Sequence, residues 1–171
     1  ADWREHSDVL GVAATGSGKT IIFLSLLLDH VLVSGKRGLI LAHRQELISQ
    51  PVERIAVLWP EWSPRVGIVM AEQDECDGQL TVATIQTLAN QTRLARLVAA
   101  GPIDYVITDE VHHCVAKTYR GVYTALRDAN PDLRHLGVTA TPIRTDKDGL
   151  KKVFAKVSFK AGIKELISLG H

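Results

Sequence analysis

Cysteine is almost missing from this chain: Cys76 and Cys114 are the two it has, far apart and in no paired motif. That excludes a disulfide scaffold and fits a reducing compartment, so the expected location is cytoplasmic. No apolar run approaches the roughly 18 residues needed to cross a bilayer, and no leader of the secretory type is visible, so no membrane partner is expected. Excess charge is missing as well. Twenty Lys and Arg stand against 19 Asp and Glu, a net of +1, and any nucleic-acid surface therefore has to be a local patch. Internal repeats, linkers and low-complexity segments are absent too. The 171 residues, 46% hydrophobic and 23% charged, are read as one domain with a sizeable core. The first residue is Ala rather than Met, and the chain is expected to be processed or a piece of a longer protein.

What is present is an alternation of β-rich apolar runs and helical patterns. Strands are expected at 8–14, 37–43, 65–70, 80–84, 104–109 and 135–140, and helices at 19–33, 44–58, 85–99, 118–129 and 160–169. Several strands are apolar nearly throughout, as strands covered on both faces are. Alternating strands and helices imply parallel pairing through right-handed crossovers, hence an open α/β sandwich with a mostly parallel sheet.

Residues 13–20, AATGSGKT, join the first strand to the first helix. Between them the backbone has to curl so that successive N–H groups face inward, and Gly16 and Gly18 permit angles that a side chain obstructs. The curled amides of Thr15, Gly16, Ser17 and Gly18 form a concave anion site, to which the helix adds its positive N-terminal end. Lys19 supplies a full charge for the outer phosphates, and Thr20 a hydroxyl for Mg²⁺. The pattern is G-x-x-x-x-G-K-[ST], with Ala13 where the first glycine usually stands.

Residues 104–114, DYVITDEVHHC, end a strand in two acids at what should be the carboxyl edge of the sheet, where parallel α/β sheets bind ligands. Asp109 is expected to hold Mg²⁺, directly or through water, and Glu110 to orient and deprotonate the attacking water. His112, His113 and Cys114 do not read as a zinc site, because consecutive ligands rarely fit one tetrahedral centre and no second cluster exists. His112 is read instead as a polar relay beside the γ-phosphate.

AATGSGKT, DEVH and the later TATP (139–142) follow the order found in superfamily 2 helicases and translocases, and the chain resembles the first of their two RecA-like lobes over essentially its whole length. The acidic box is of the D-E-x-H type, with Val111 where many members carry Ala, and the details look closest to bacterial, restriction-motor-like members. The resemblance implies a three-layer α/β/α P-loop NTPase fold using ATP and Mg²⁺. It gives Lys19, Asp109 and Glu110 the catalytic roles, Thr20 and Asp109 the metal, and His112, Thr139 and Thr141 the coupling of nucleotide state to grip on the track. LILAHRQEL (39–47) and TVATIQTL (81–88) look like nucleic-acid contact segments, with Arg44, Thr84 and Gln86 as candidates; Thr84 also suits a plain helix cap. DNA is expected ahead of RNA as the partner.

Two family elements are lacking. Residues 1–18 contain no Gln, so the adenine-reading segment is expected to lie upstream. The second lobe is absent, and with it the arginine finger that is worth about 10³ to 10⁵ in rate. The tail 157–171, with Ile163, Leu166 and Ile167 at helical spacing, resembles the connection towards that lobe. The lone chain is therefore expected to bind nucleotide and nucleic acid weakly and to turn over slowly or not at all. Two other classes stay open at this point: a P-loop kinase or phosphotransferase, against which TATP and LILAHRQEL speak, and a non-catalytic nucleotide-binding scaffold.

Overall fold

The computed structural model describes residues 7–13, 18–111, 117–140 and 156–161. In chain order the elements are β1 (Asp8–Ala13), α1 (Lys19–Ser34), β2 (Gly38–Ala42), α2 (Glu46–Leu58), a 3₁₀ segment (Pro60–Arg65), β3 (Val66–Met70), β4 (Gln73–Asp74), β5 (Leu80–Thr84), α3 (Ile85–Leu88), α4 (Gln91–Ala99), β6 (Tyr105–Thr108), α5 (Lys117–Ala129), β7 (Arg134–Thr139) and β8 (Lys156–Ala161).

The strands form one eight-stranded sheet in the order β4-β3-β5-β2-β6-β7-β1-β8. Every neighbouring pair is parallel except β3 and β4, which pair antiparallel at the edge. Strand side chains alternate between faces, so an unbroken apolar run feeds two cores at once. In β2, Ile40 and Ala42 pack with Leu24, Leu27 and Ile55 of α1 and α2. Leu39 and Leu41 pack on the other side with Leu88, Leu97 and Val122 of α3, α4 and α5. This is the expected three-layer α/β/α arrangement.

Two expected elements differ. The single helix over 85–99 is two helices, α3 and α4. Asn90 breaks the run: in an extended conformation, it accepts from the N–H groups of Thr92 and Arg93 and starts α4 afresh. The helix expected from 160 is contradicted at its start, because 156–161 is a strand pairing with β1. That stretch, KVSFKA, alternates polar and apolar, the strand period, so the tail joins the sheet before it can lead anywhere else. Ile163, Leu166 and Ile167 lie outside the described residues.

At the edge of the sheet opposite the strand C-termini, Arg37 ties several loops together. Its guanidinium donates to the carbonyl oxygens of Cys76, Gly78, Leu97 and Gly101. Its own N–H donates to the Asp104 carboxylate at 2.9 Å. An ionic donor shared by so many carbonyls is strong, and its loss leaves those acceptors short of partners. Arg37→Met is expected to lower unfolding stability by about 2–4 kcal/mol in urea titration. A change under about 0.5 kcal/mol would show the clamp to be ornamental.

Cys76 is buried, and burial first, then its hydrogen bond to Asp74, pushes its thiol up to about 11. At pH 8 its thiolate is then roughly 100-fold scarcer than that of a free cysteine. Alkylation in the native chain, followed by peptide mapping to separate Cys76 from Cys114, is expected to be slower than in denaturant by at least that factor. Equal rates in the two states would contradict the burial.

Candidate nucleotide site

The strand order places the site. β1, which leads into the phosphate loop, and β6, which ends in the acids, are separated by β7 alone. Parallel pairing puts all three carboxyl ends on one rim, and two strand spacings make the gap about 10 Å. A lysine and a glutamate reaching inward can close it, and they do: Lys19 Nζ lies 3.5 Å from Glu110 Oε1. The two side chains are only 11% and 26% exposed.

Gly18 opens α1 with a left-handed φ of 72°, and its carbonyl accepts from Ile22 N–H at 3.1 Å. A Cβ there would meet nothing within 4 Å, so glycine is required by the backbone angle and not by crowding. The acidic corner is strained as well, since Glu110 has a φ of 49°, uncommon for a residue with a side chain. Asp109 holds the corner from both directions. Its N–H donates to the Leu41 carbonyl at 3.0 Å, and its Oδ1 accepts from the N–H of Glu110 at 2.9 Å. Strain kept in this way collects at functional corners.

Gly18, Lys19, Thr20, Asp109 and Glu110 line one cleft of about 600 Å³, whose outer wall is α2 with Gln50, Glu53 and Arg54. The donor set suits Mg²⁺. Among the described residues no cluster of three or more His, Cys, Asp or Glu side chains forms a metal cage. A Thr hydroxyl and one or two carboxylates leave the remaining positions to phosphate oxygens and water, as this ion prefers. Thr139 ends β7 on the same rim, fully buried and in register with Val12 of β1. Thr15, Gly16, Ser17, His112 and Thr141 lie outside the described residues.

The expected track residues also come together. β2 and β5 are neighbours, with Ala42 opposite Thr84, so the segments that follow them meet. His43, Arg44, Gln45, Glu46, Thr84, Gln86 and Thr87 line a second, open cleft of about 540 Å³ on the same rim. Gln86 Nε2 donates to the His43 carbonyl at 2.7 Å and pins one segment to the other. Arg44 is exposed. Thr84 is buried and caps α3, its Oγ1 accepting from Thr87 N–H at 3.3 Å. The helix-cap reading is thus the one its side chain fulfils.

Sequence reasoning missed a buried polar cluster beneath the acidic corner. His135 of β7 is fully buried, and its Nε2 lies 3.0 Å from Thr108 Oγ1, on the residue before Asp109. Tyr123 of α5 places its hydroxyl against both. On the ring's other side, His135 Nδ1 is 3.7 Å from Asp8 Oδ1, and Asp8 pairs with Arg127. Burial pushes His135 below the usual histidine range. Burial alone would raise the Asp8 carboxyl, but its hydrogen bonds and the Arg127 charge hold it below the usual aspartate value.

Comparison with known proteins fits this geometry. Residues 3–144 match the family described as "Type III restriction enzyme, res subunit" (ResIII). The chain is 31% identical over 173 residues to the Saccharomyces cerevisiae protein named "Putative ATP-dependent helicase IRC3", covering 96% of this chain and 25% of that protein. The chain therefore spans a quarter of that relative's length. Among solved structures it is similar to the Hef helicase domain of Pyrococcus furiosus, with TM-score 0.73, 21% identity, and coverage of 91% of this chain and 34% of that one. It is also similar to the Sulfolobus solfataricus SWI2/SNF2 ATPase core solved in complex with dsDNA, with TM-score 0.67, 16% identity, and coverage of 90% of this chain and 32% of that one. At those identities the structural likenesses establish the fold.

Proposed function

The chain belongs to the ResIII family, and from that premise we propose that it is the ATP-binding lobe of a DExH-type helicase or translocase that couples ATP hydrolysis to movement on nucleic acid. The carrying observation is the meeting of Lys19 with Glu110 in one cleft that also holds Thr20 and Asp109. Within this reading the chain is the N-terminal RecA-like lobe of a longer protein, and a second lobe supplies the missing cation.

Lys19 grips the outer phosphates, helped by the N-terminal end of α1. Thr20 and Asp109 hold Mg²⁺, which when bound offsets the charge of the phosphates. Lys19 is paired with Glu110 at 3.5 Å. A triphosphate offers Lys19 a denser negative charge, so its arrival draws the ammonium away and frees the Glu110 carboxylate to accept a proton from water. Hydrolysis competence is thereby tied to occupancy. Arg44 and Gln86 touch backbone phosphates of the track, with DNA preferred, so binding there is salt-sensitive and reads little sequence. Thr139, between the two β-strands that carry the chemistry, joins His112 and Thr141 in relaying nucleotide state to that surface.

The test is ATP hydrolysis by the full-length protein with and without DNA or RNA. Stimulation of at least about tenfold by nucleic acid is expected, since closure of the two lobes completes the site. Turnover that ignores nucleic acid while phosphate passes to a small acceptor would establish a phosphotransferase instead, and no turnover at all a scaffold.

A further inference from the structure

From the cluster beneath the acidic corner we infer that His135, Tyr123 and Thr108 are positioning residues, which set where Asp109 stands over the cleft and so how well Mg²⁺–nucleotide is held. The inference rests on the reading of Asp109 as the metal carboxylate.

Glu110 sits in a left-handed conformation directly after Asp109, and such a corner persists only where its surroundings over-determine it. On the C-terminal side Val111 is fully buried and anchors the turn. On the N-terminal side the anchor is Thr108, whose hydroxyl is bonded to His135 at 3.0 Å and to Tyr123. His135 is in turn fixed to the start of β1: its backbone N–H donates to the Ser7 carbonyl at 2.7 Å, and its ring faces Asp8. Arg127, from the same helix as Tyr123, closes the chain on Asp8. The cluster thus ties β6, which carries the acids, through β7 to β1, which carries the phosphate loop.

Stability alone gives little reason for it. In the ladder His135 stands opposite Val106, and Leu136 opposite Ile107, so a matched apolar set at all three positions would pack the same layer, with Asp8 still paired to Arg127. The ladders to β2 and β7 set the register of β6, but an apolar set adds no directional hold on the fine placement of its C-terminal end, because dispersion contacts are weakly directional and hydrogen bonds strongly so. A sliding of β6 by a fraction of an ångström moves Asp109 relative to Lys19 and Thr20, and displacements near 1 Å can cost on the order of 100-fold.

The distinguishing experiment compares two readouts in the full-length protein: thermal unfolding, and the Mg²⁺ concentration that half-saturates binding of a fluorescent ATP analogue. In Thr108→Val/Tyr123→Phe/His135→Leu all three polar groups are replaced together. The melting temperature is expected to stay within about 5 °C of the parent, while half-saturating Mg²⁺ rises by about tenfold or more. Tyr123→Phe alone, which removes one hydroxyl and opens no cavity, is the milder arm and covers a triple variant that fails to fold. It should raise half-saturating Mg²⁺ by about threefold at an unchanged melting temperature. If either folded variant keeps the parent's Mg²⁺ dependence, the cluster is merely structural and the inference is overturned. Lys19→Ala separates this from failure of the nucleotide-site reading. Should Lys19→Ala bind the analogue as the parent does, that reading falls and takes the inference with it; should it lose binding while the triple variant does not, the inference alone falls.

Discussion

Lys19→Ala is expected to lower ATP affinity by at least about 100-fold, read by calorimetry on the full-length protein. Truncating one partner of a partly buried charge pair costs about 2–5 kcal/mol, and each 1.4 kcal/mol is tenfold. Lys19 is the cation of the cleft's inner end, and its Nζ is already drawn towards negative charge there, 3.5 Å from Glu110. Without it two carboxylates, Asp109 and Glu110, face the incoming phosphates, opposed by the N-terminal end of α1 and by Arg54 on the outer wall. The fold should be almost indifferent, because the single ion pair lost is partly exposed and such pairs contribute little. The pattern that sinks the assignment is therefore specific: unchanged affinity at unchanged stability.

Lys19→Arg sharpens the same point. It keeps the charge but replaces a compact ammonium by a wider planar fork in a position only 11% exposed. If charge alone mattered, affinity would be retained. The geometry instead predicts a loss of about tenfold or more, intermediate between the parent and Lys19→Ala.

The site was more legible than its setting, and particular residues show why. AATGSGKT and DEVH each need a strand before them and a turn after, and both contexts can be read from short apolar runs. That β1 and β6 would stand two strands apart could not be read from periodicity, since strand order is set by crossovers and not by local pattern. Where local signals competed, longer-range pairing decided. Residues 156–161 carry a polar–apolar alternation, whereas the helical spacing behind the helix expected at 160–169 lies further on, at Ile163, Leu166 and Ile167; the open edge of β1 takes residues 160 and 161 into the strand. Asn90 restarts the helix as a cap, but the apolar spacing on either side of it hides the break, and the sequence reads as one helix over 85–99. His135 was invisible because it opens the mostly apolar run HLGVTA directly after Arg134, where nothing local separates a buried polar group from a strand end. Its partners Thr108, Tyr123 and Asp8 come from three other elements. The left-handed angle at Glu110 likewise follows from tertiary constraint, as no glycine marks it.

The second large effect belongs to Glu110, and it is the mirror of the first. Glu110→Gln keeps the size and hydrogen-bonding reach of the side chain and removes its ability to accept a proton. ATP binding by the full-length protein should persist and tighten slightly, because one negative charge facing the triphosphate is gone and Lys19 no longer has an anionic competitor for it. Turnover stimulated by nucleic acid should fall by about 10²–10⁴, the usual worth of a positioned base. A loss in turnover with binding intact is the mark of an interaction made in the transition state. Asp109→Asn should differ, weakening Mg²⁺-dependent binding as well as turnover, since that carboxylate is assigned to the ground-state complex. The two adjacent acids are thus separable by one comparison: binding with and without Mg²⁺ in each variant. If Glu110→Gln turned over like the parent, the base would have to be sought elsewhere on the rim, and the ion pair with Lys19 would be left with a purely structural part.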